Sequence, residues 1–207
     1  MDDEFEDRSN EYLDDARGLF EQYKRLAEKA LGRLTDEGFF ASMADGSNSA
    51  AAVVKHISGN QRSRWTNFLT EDGEKPYRDR DSEFEAGSAA RDDLMRSWEA
   101  GWQILFEALA GLSAEDLSRD VTIRGERLPV VRAINRQLTH YAYHVGQIVF
   151  IAKAARGGEW SSLSVPKGRS DDFNEFMTKR AELGTTGRHY LEDAQDFFGD
   201  DREDGGE

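Results

Sequence analysis

The sequence predicts an all-α protein: a four-helix bundle with a small hairpin before the fourth helix and a short C-terminal helix. Three observations lead there. Apolar residues recur at three- and four-residue spacing over four long segments, proline occurs only three times in 207 residues, and breaker-rich loops of unequal length separate the segments. With 38% hydrophobic and 11% aromatic residues, a chain of this length can bury a real core.

The first helix is expected over residues 9–34, where Leu13, Ala16, Phe20, Tyr23, Ala27 and Ala30 keep one face apolar. Gly38, Gly46 and Asn48 then break the pattern, and Ser49 is placed to cap a second helix running to about Leu69. Residues 70–88 have no period and contain Asp72-Gly73 and Lys75-Pro76, so they read as a long loop.

A third helix, from about Ser88 to Leu109, carries Leu94, Trp98, Gly101, Leu105 and Ala108 on one stripe. Trp65, Trp98 and Trp102 fall at helical spacing and are expected in the core rather than in a site. Val121 and Ile123 alternate with polar residues before Arg124-Gly125-Glu126, which predicts a hairpin. The fourth helix follows from about Val130 to Ala155, ending at Gly157-Gly158, and a short amphipathic helix starts at Ser170. The expected organisation is an acidic N-terminal extension over 1–8, the bundle over 9–182 and an acidic C-terminal tail over 183–207.

The net charge of −14 sits at the ends. Residues 1–15 and 192–207 each hold eight acids and one base, while the 25 acids and 25 bases between them cancel. Acidic ends repel phosphates and anionic lipid, so neither nucleic acid nor membrane is an expected partner; solubility is their ordinary role, with a saline habitat as the alternative. No apolar run approaches the roughly 20 residues that span a bilayer, and the N-terminus is acidic where a signal peptide is basic and then apolar. A cytoplasmic location is expected. Cysteine is absent, so any thiol chemistry needs a thiol from outside.

The chemistry-bearing pattern is in residues 138–150, LTHYAYHVGQIVF, where His140 and His144 stand one turn apart on the shoulder of an apolar arc formed by Ile134, Leu138, Tyr141, Val145, Ile148 and Ala152. Two imidazoles so spaced can grip one cation, although such a pair is as often two satisfied half-buried residues, so a third partner decides. On the second helix His56 holds a similar shoulder position, with Asn60, Ser63 and Asn67 along the same strip. That strip reads either as a wet pocket facing the bundle or as a solvated edge. Arg64 lies within the apolar arc and is expected either to bind a substrate carboxylate or to pair with Asp72 or Glu74.

At these residues the chain resembles the DinB/YfiT-like superfamily of bacterial metalloenzymes, and more closely one of its uncharacterised domain-of-unknown-function branches. The likeness covers roughly residues 10–178 and rests on a histidine early in the second helix and a histidine pair late in the fourth. It implies a metal triad of His56, His140 and His144 with one side open to water or substrate. It also implies a divalent metal used with a low-molecular-weight thiol for transfer or isomerisation.

Three imidazoles suit zinc, nickel, iron or manganese about equally, and zinc or nickel is the preferred reading. Such a metal would lower the pKa of a bound water or thiol, and its affinity should fall below about pH 6.5, where unperturbed histidine titrates. Three functions fit: a thiol-dependent metalloenzyme taking a small-molecule substrate over Asn60, Ser63, Arg64 and Asn67; a metal-dependent hydrolase with Glu99 as a candidate base; or a non-catalytic metal-binding stress protein. A homodimer is the oligomer considered. Tyr143, expected on the far side of the fourth helix, should be indifferent to metal.

Overall fold

Helix α1 spans Asp2–Leu31, seven residues earlier at its start than the apolar pattern predicts. Glu4, Glu6 and Asp7 carry no core face, but acids near a helix N-terminus complement its dipole and so extend it outward. The acidic N-terminal extension is thus helical and continuous with α1. Ala16, Phe20, Ala27 and Ala30 are buried along α1, and the hydroxyl of Tyr12 donates to Asn135 Oδ1 at 2.9 Å. The computed structural model describes residues 2–85, 89–187, 193, 194, 196 and 197.

A five-residue helix, α2 (Asp36–Phe40), stands where the glycines suggested only a loop. The Thr35 hydroxyl caps it by accepting from Gly38 N, and Phe39 is fully buried, so one cap and one anchor outweigh Gly38. Helix α3, Ala50–Trp65, starts at the expected cap: Ser49 accepts from Ala52 N at 3.2 Å. It ends four residues before Leu69. Asn67 adopts φ 50, a left-handed conformation that terminates helices and that asparagine tolerates.

The loop beyond contains one 3₁₀ turn, Asp81–Phe84, before α4 at Arg91–Ala110. Leu94, Trp98, Gly101, Trp102, Leu105 and Leu109 form its buried stripe. Helices α3 and α4 approach so closely that a Cβ on Gly101 would collide with the Gln61 side chain. A second 3₁₀ turn, Ala114–Ser118, leads to strands β1 (Asp120–Ile123) and β2 (Glu126–Pro129), paired antiparallel. Arg124 and Gly125, at φ 55 and 76, make the two-residue turn that such a hairpin requires. The Asp72 carboxylate accepts from both of their backbone N–H groups at 2.8 Å.

Helix α5, Val130–Arg156, buries Ile134, Tyr141, Val145, Ile148 and Ala152, the arc read from the sequence. Phe20 of α1, Trp65 of α3, Trp102 of α4 and Tyr141 of α5 meet in one aromatic cluster, the Phe20 ring centroid lying 5.8, 6.5 and 5.7 Å from the other three. Trp65, Trp98 and Trp102 are all core residues. The described residues are mostly helical, with the hairpin as their one sheet, and no helix among them is long and apolar enough to cross a membrane.

The chain divides into two compact units, Met1–Ala155 and Arg156–Glu207, a boundary inside the segment 9–182 read as one domain. In the second unit, helix α6 (Ser170–Glu182) presents Phe173 and Phe176 to Phe197 at centroid distances of 5.5 and 5.1 Å. Arg180 pairs with Asp193 at 3.1 Å, and Asp193 and Ala194 are buried. This part of the acidic tail therefore packs, where only charge was expected; most of the remainder lies outside the described residues.

Candidate metal centre

Two helical stripes face one cavity of about 450 Å³. From α3 come His56, Asn60 and Arg64, and from α5 come Arg136, His140 and His144, each set four residues apart and so on one side of its helix. The loop between α3 and α4 supplies Arg78, Arg80 and Phe84.

One ring nitrogen from each of His56, His140 and His144 lies within 4.8 Å of the other two, although 84 residues separate the first pair. His56 and His144 are buried and His140 is half-buried. His56 Nε2 and His140 Nε2 are 3.2 Å apart. Two nitrogens on one tetrahedral ion, each at about 2.0–2.1 Å, stand about 3.3 Å from each other, so this spacing fits a shared cation.

In His56 and His144 the second ring nitrogen fixes how the ring presents itself. Because a carboxylate only accepts, His56 Nδ1 donates to Glu83 Oε2 at 2.8 Å, which turns the lone pair of neutral His56 onto Nε2. Glu83 is itself gripped by Arg78 through two bonds of 2.9 Å. Burial pushes the Glu83 carboxyl up, but the hydrogen bonds from His56 and Arg78 outweigh it and hold the group below the usual carboxylate range. A Cβ on Gly59 would collide with the Glu83 carboxylate, so this bare position on α3 makes room for it. His144 Nδ1 bonds Gln147 Oε1 at 2.9 Å, leaving Nε2 for the cavity. His140 Nδ1 is buried and meets no partner among the described residues.

Burial lowers the His140 pKa to about 3, with the neighbouring imidazoles and arginines adding, and lowers that of His144 to about 4. Both are therefore neutral at pH 7, the form that coordinates metals.

The predicted substrate strip divides. Asn60 and Arg64 line the cavity; Ser63 and Asn67 do not. The Ser63 hydroxyl donates to Gly73 O at 2.7 Å and accepts from Lys75 N at 3.1 Å, which ties the loop to α3. Asn67 lies beyond the helix end, donates to Glu71 and lines a separate groove with Phe68 and Leu112. Arg64 pairs with Glu74 at 2.9 Å, the second of its two expected roles, while still reaching the cavity wall. Glu99 pairs with Lys24 at 3.0 Å and is no part of this wall. Tyr143 is not on the far side: its ring lies 5.0 Å from His144 and lines the cavity. At about 100° per residue Tyr143 stands only about 60° from His140, so the helical period itself places it beside the pair rather than opposite, and there it is 65% exposed.

Glu83 and Arg78 were missed, since an aperiodic loop carries no signal for which of its charges turns inward. Arg136 was legible in principle, standing one turn before His140 on the same stripe.

Fold and site together define a mostly helical protein with a three-histidine centre able to hold a metal ion. The chain belongs to the family described as Protein of unknown function (DUF1572), whose pattern matches residues 7–169. No curated protein matches it.

Proposed function

We propose that this protein is a divalent-metal-dependent enzyme of the DinB/YfiT-like type, a four-helix bundle acting on a small-molecule substrate with the help of a low-molecular-weight thiol. The observation that carries the reading is the convergence of three imidazoles, one braced through Nδ1 by the Glu83–Arg78 pair. Carboxylate-backed histidines of this kind are the usual outer support of metal ligands. The bundle is supported by the aromatic residue that each long helix contributes to one cluster.

A cation held by His56, His140 and His144, with zinc or nickel the preferred candidates, would supply Lewis acidity that lowers the pKa of a bound water or thiol. The remaining work belongs to the chain. Glu83 keeps the proton of His56 on Nδ1, and Gln147 orients His144. Tyr141 donates to Asn60 Oδ1 at 2.9 Å and so leaves the Asn60 amino group for the cavity. Because the protein has no cysteine, the thiol must enter from solvent. The hydrolase reading needs a carboxylate base, and among the described residues no Asp or Glu lines the cavity.

Metal analysis of untagged protein tests the proposal. About one ion per chain is expected, followed by turnover in a thiol-conjugation screen; metal retained by a triple His56→Ala, His140→Ala, His144→Ala variant would overturn it.

A further inference from the structure

The cavity wall is built from cations whose counter-charges stand behind it. Arg64, Arg78, Arg80, Arg124 and Arg136 all line it. Three are matched from outside the wall: Arg64 and Arg124 by Glu74 at 2.9 Å each, and Arg78 by Glu83 at 2.9 Å, while Asp72 of the same loop accepts from the hairpin turn. Arg80 and Arg136 differ. Arg80 is 3.9 Å from Asp81 and Arg136 is 3.5 Å from Glu126, and those acids are 96% and 56% exposed. Water screens such pairs to little net worth, so both guanidiniums keep their charge for the cavity. This local field opposes the net −14 of the chain.

Two further features point to a ligand. Gln137 is buried to 4% exposure, lines the cavity, and its Oε1 has no partner among the described residues. With that oxygen enclosed, the N–H end of the amide is the one that can meet an oxyanion in the cavity. Asn60, with its oxygen taken by Tyr141, likewise offers N–H. Phe84 and Tyr143 add aromatic faces, the first with Arg80 over its ring at 5.2 Å. A volume of about 450 Å³ suits a small organic molecule.

We propose that the cavity takes a small organic anion, a carboxylate or phosphate ester, held by Arg80 and Arg136 with Asn60 and Gln137, its body lying along Phe84 and Tyr143. The inference rests on reading the histidine cavity as the working site, and guanidinium forks are the side chains best shaped for such oxyanions.

The test uses the full untagged chain at fixed ionic strength, both stripped of metal and supplemented with zinc. Benzoate, phenyl phosphate and neutral benzamide are titrated, with binding read by calorimetry and ligand-observed NMR. At least one anion should bind, with benzamide weaker by about tenfold or more, and the preferred anion identifies the class. Arg80→Gln and Arg136→Gln should each weaken the anion roughly tenfold. Arg96→Gln, the same charge change at a 72% exposed side chain of α4, should not. Unchanged zinc content in the variants separates lost anion binding from a damaged site. Arginine-dependent anion binding by a protein that holds no zinc would overturn the metal reading alone. Binding of benzamide as tight as of the anions, anion binding indifferent to Arg80 and Arg136, or no anion binding at all would overturn the present proposal, whether or not zinc is held.

Discussion

Glu83 is the residue on which the histidine centre turns, because its two oxygens serve His56 and Arg78 at once and its side chain is 6% exposed. Glu83→Gln keeps the shape and removes the charge. Metal affinity should fall roughly 10- to 100-fold, the usual cost of losing such a support, as measured by competition with a chelator. An unchanged affinity would show that His56 needs no brace. The titration of His140 and His144 gives a second test at this scale. Their pKa values in the folded metal-free protein are about 4 or below, whereas an unfolded histidine titrates near about 6.5. Below that pH the unfolded chain takes up protons that the folded one refuses, so stability is full above about pH 6.5 and declines as pH falls toward 4 and then 3. Denaturant midpoints of the metal-free protein should follow that decline, and His140→Gln with His144→Gln should flatten it. Protonation of these two histidines thus begins well below the pH expected of unperturbed histidine, since desolvation disfavours their charged form.

Among the elements, α3 carries the heaviest demand, packing on most sides while contributing one stripe to the cavity. Its start is set locally: Ser49→Ala should cost about 1 kcal/mol in chemical denaturation, because the Ala52 N–H loses its acceptor. Its distance from α4 is set by Gly101. Gly101→Ala drives a methyl into fully buried Gln61, and a loss of about 1–3 kcal/mol is expected from overpacking, visible as a lower Tm. A variant as stable as the parent would mean that Gln61 can swing aside. The sequence made the helices and the α3 cap legible because apolar period and capping chemistry are local. The end of α3 was misjudged by four residues, since Asn67 reads as one more polar helical residue until its left-handed backbone is seen. The short helix α2 was missed for a related reason: it depends on burying Phe39 beneath Arg91, a contact with a residue 52 positions away.

For the whole molecule, charge is segregated: acids at the two ends, a neutral body, and within that body a cavity faced by arginine. Deleting residues 192–207 should leave metal stoichiometry unchanged, because the three histidines proposed to bind it lie on α3 and α5 in the first unit. The same deletion removes Asp193 from Arg180, and α6 should lose protection in hydrogen exchange. Loss of metal on deletion would show that the tail helps to form the centre.

The sequence by itself determined the long helices, the hairpin turn, the aromatic core and the three histidines, because each is announced by spacing along one segment or by a residue type too scarce to place at random. Tertiary structure alone decided which polar residues line the cavity. It turned Asn60 and Arg64 to the cavity, gave Ser63 to the loop, sent Asn67 to another groove and brought Glu83 beneath His56. The physical reason is that helical period fixes a side chain's direction from its own axis, whereas what it meets there depends on how the intervening loop folds back. Buried hydrogen-bonding groups and charges must then find partners wherever that folding leaves them.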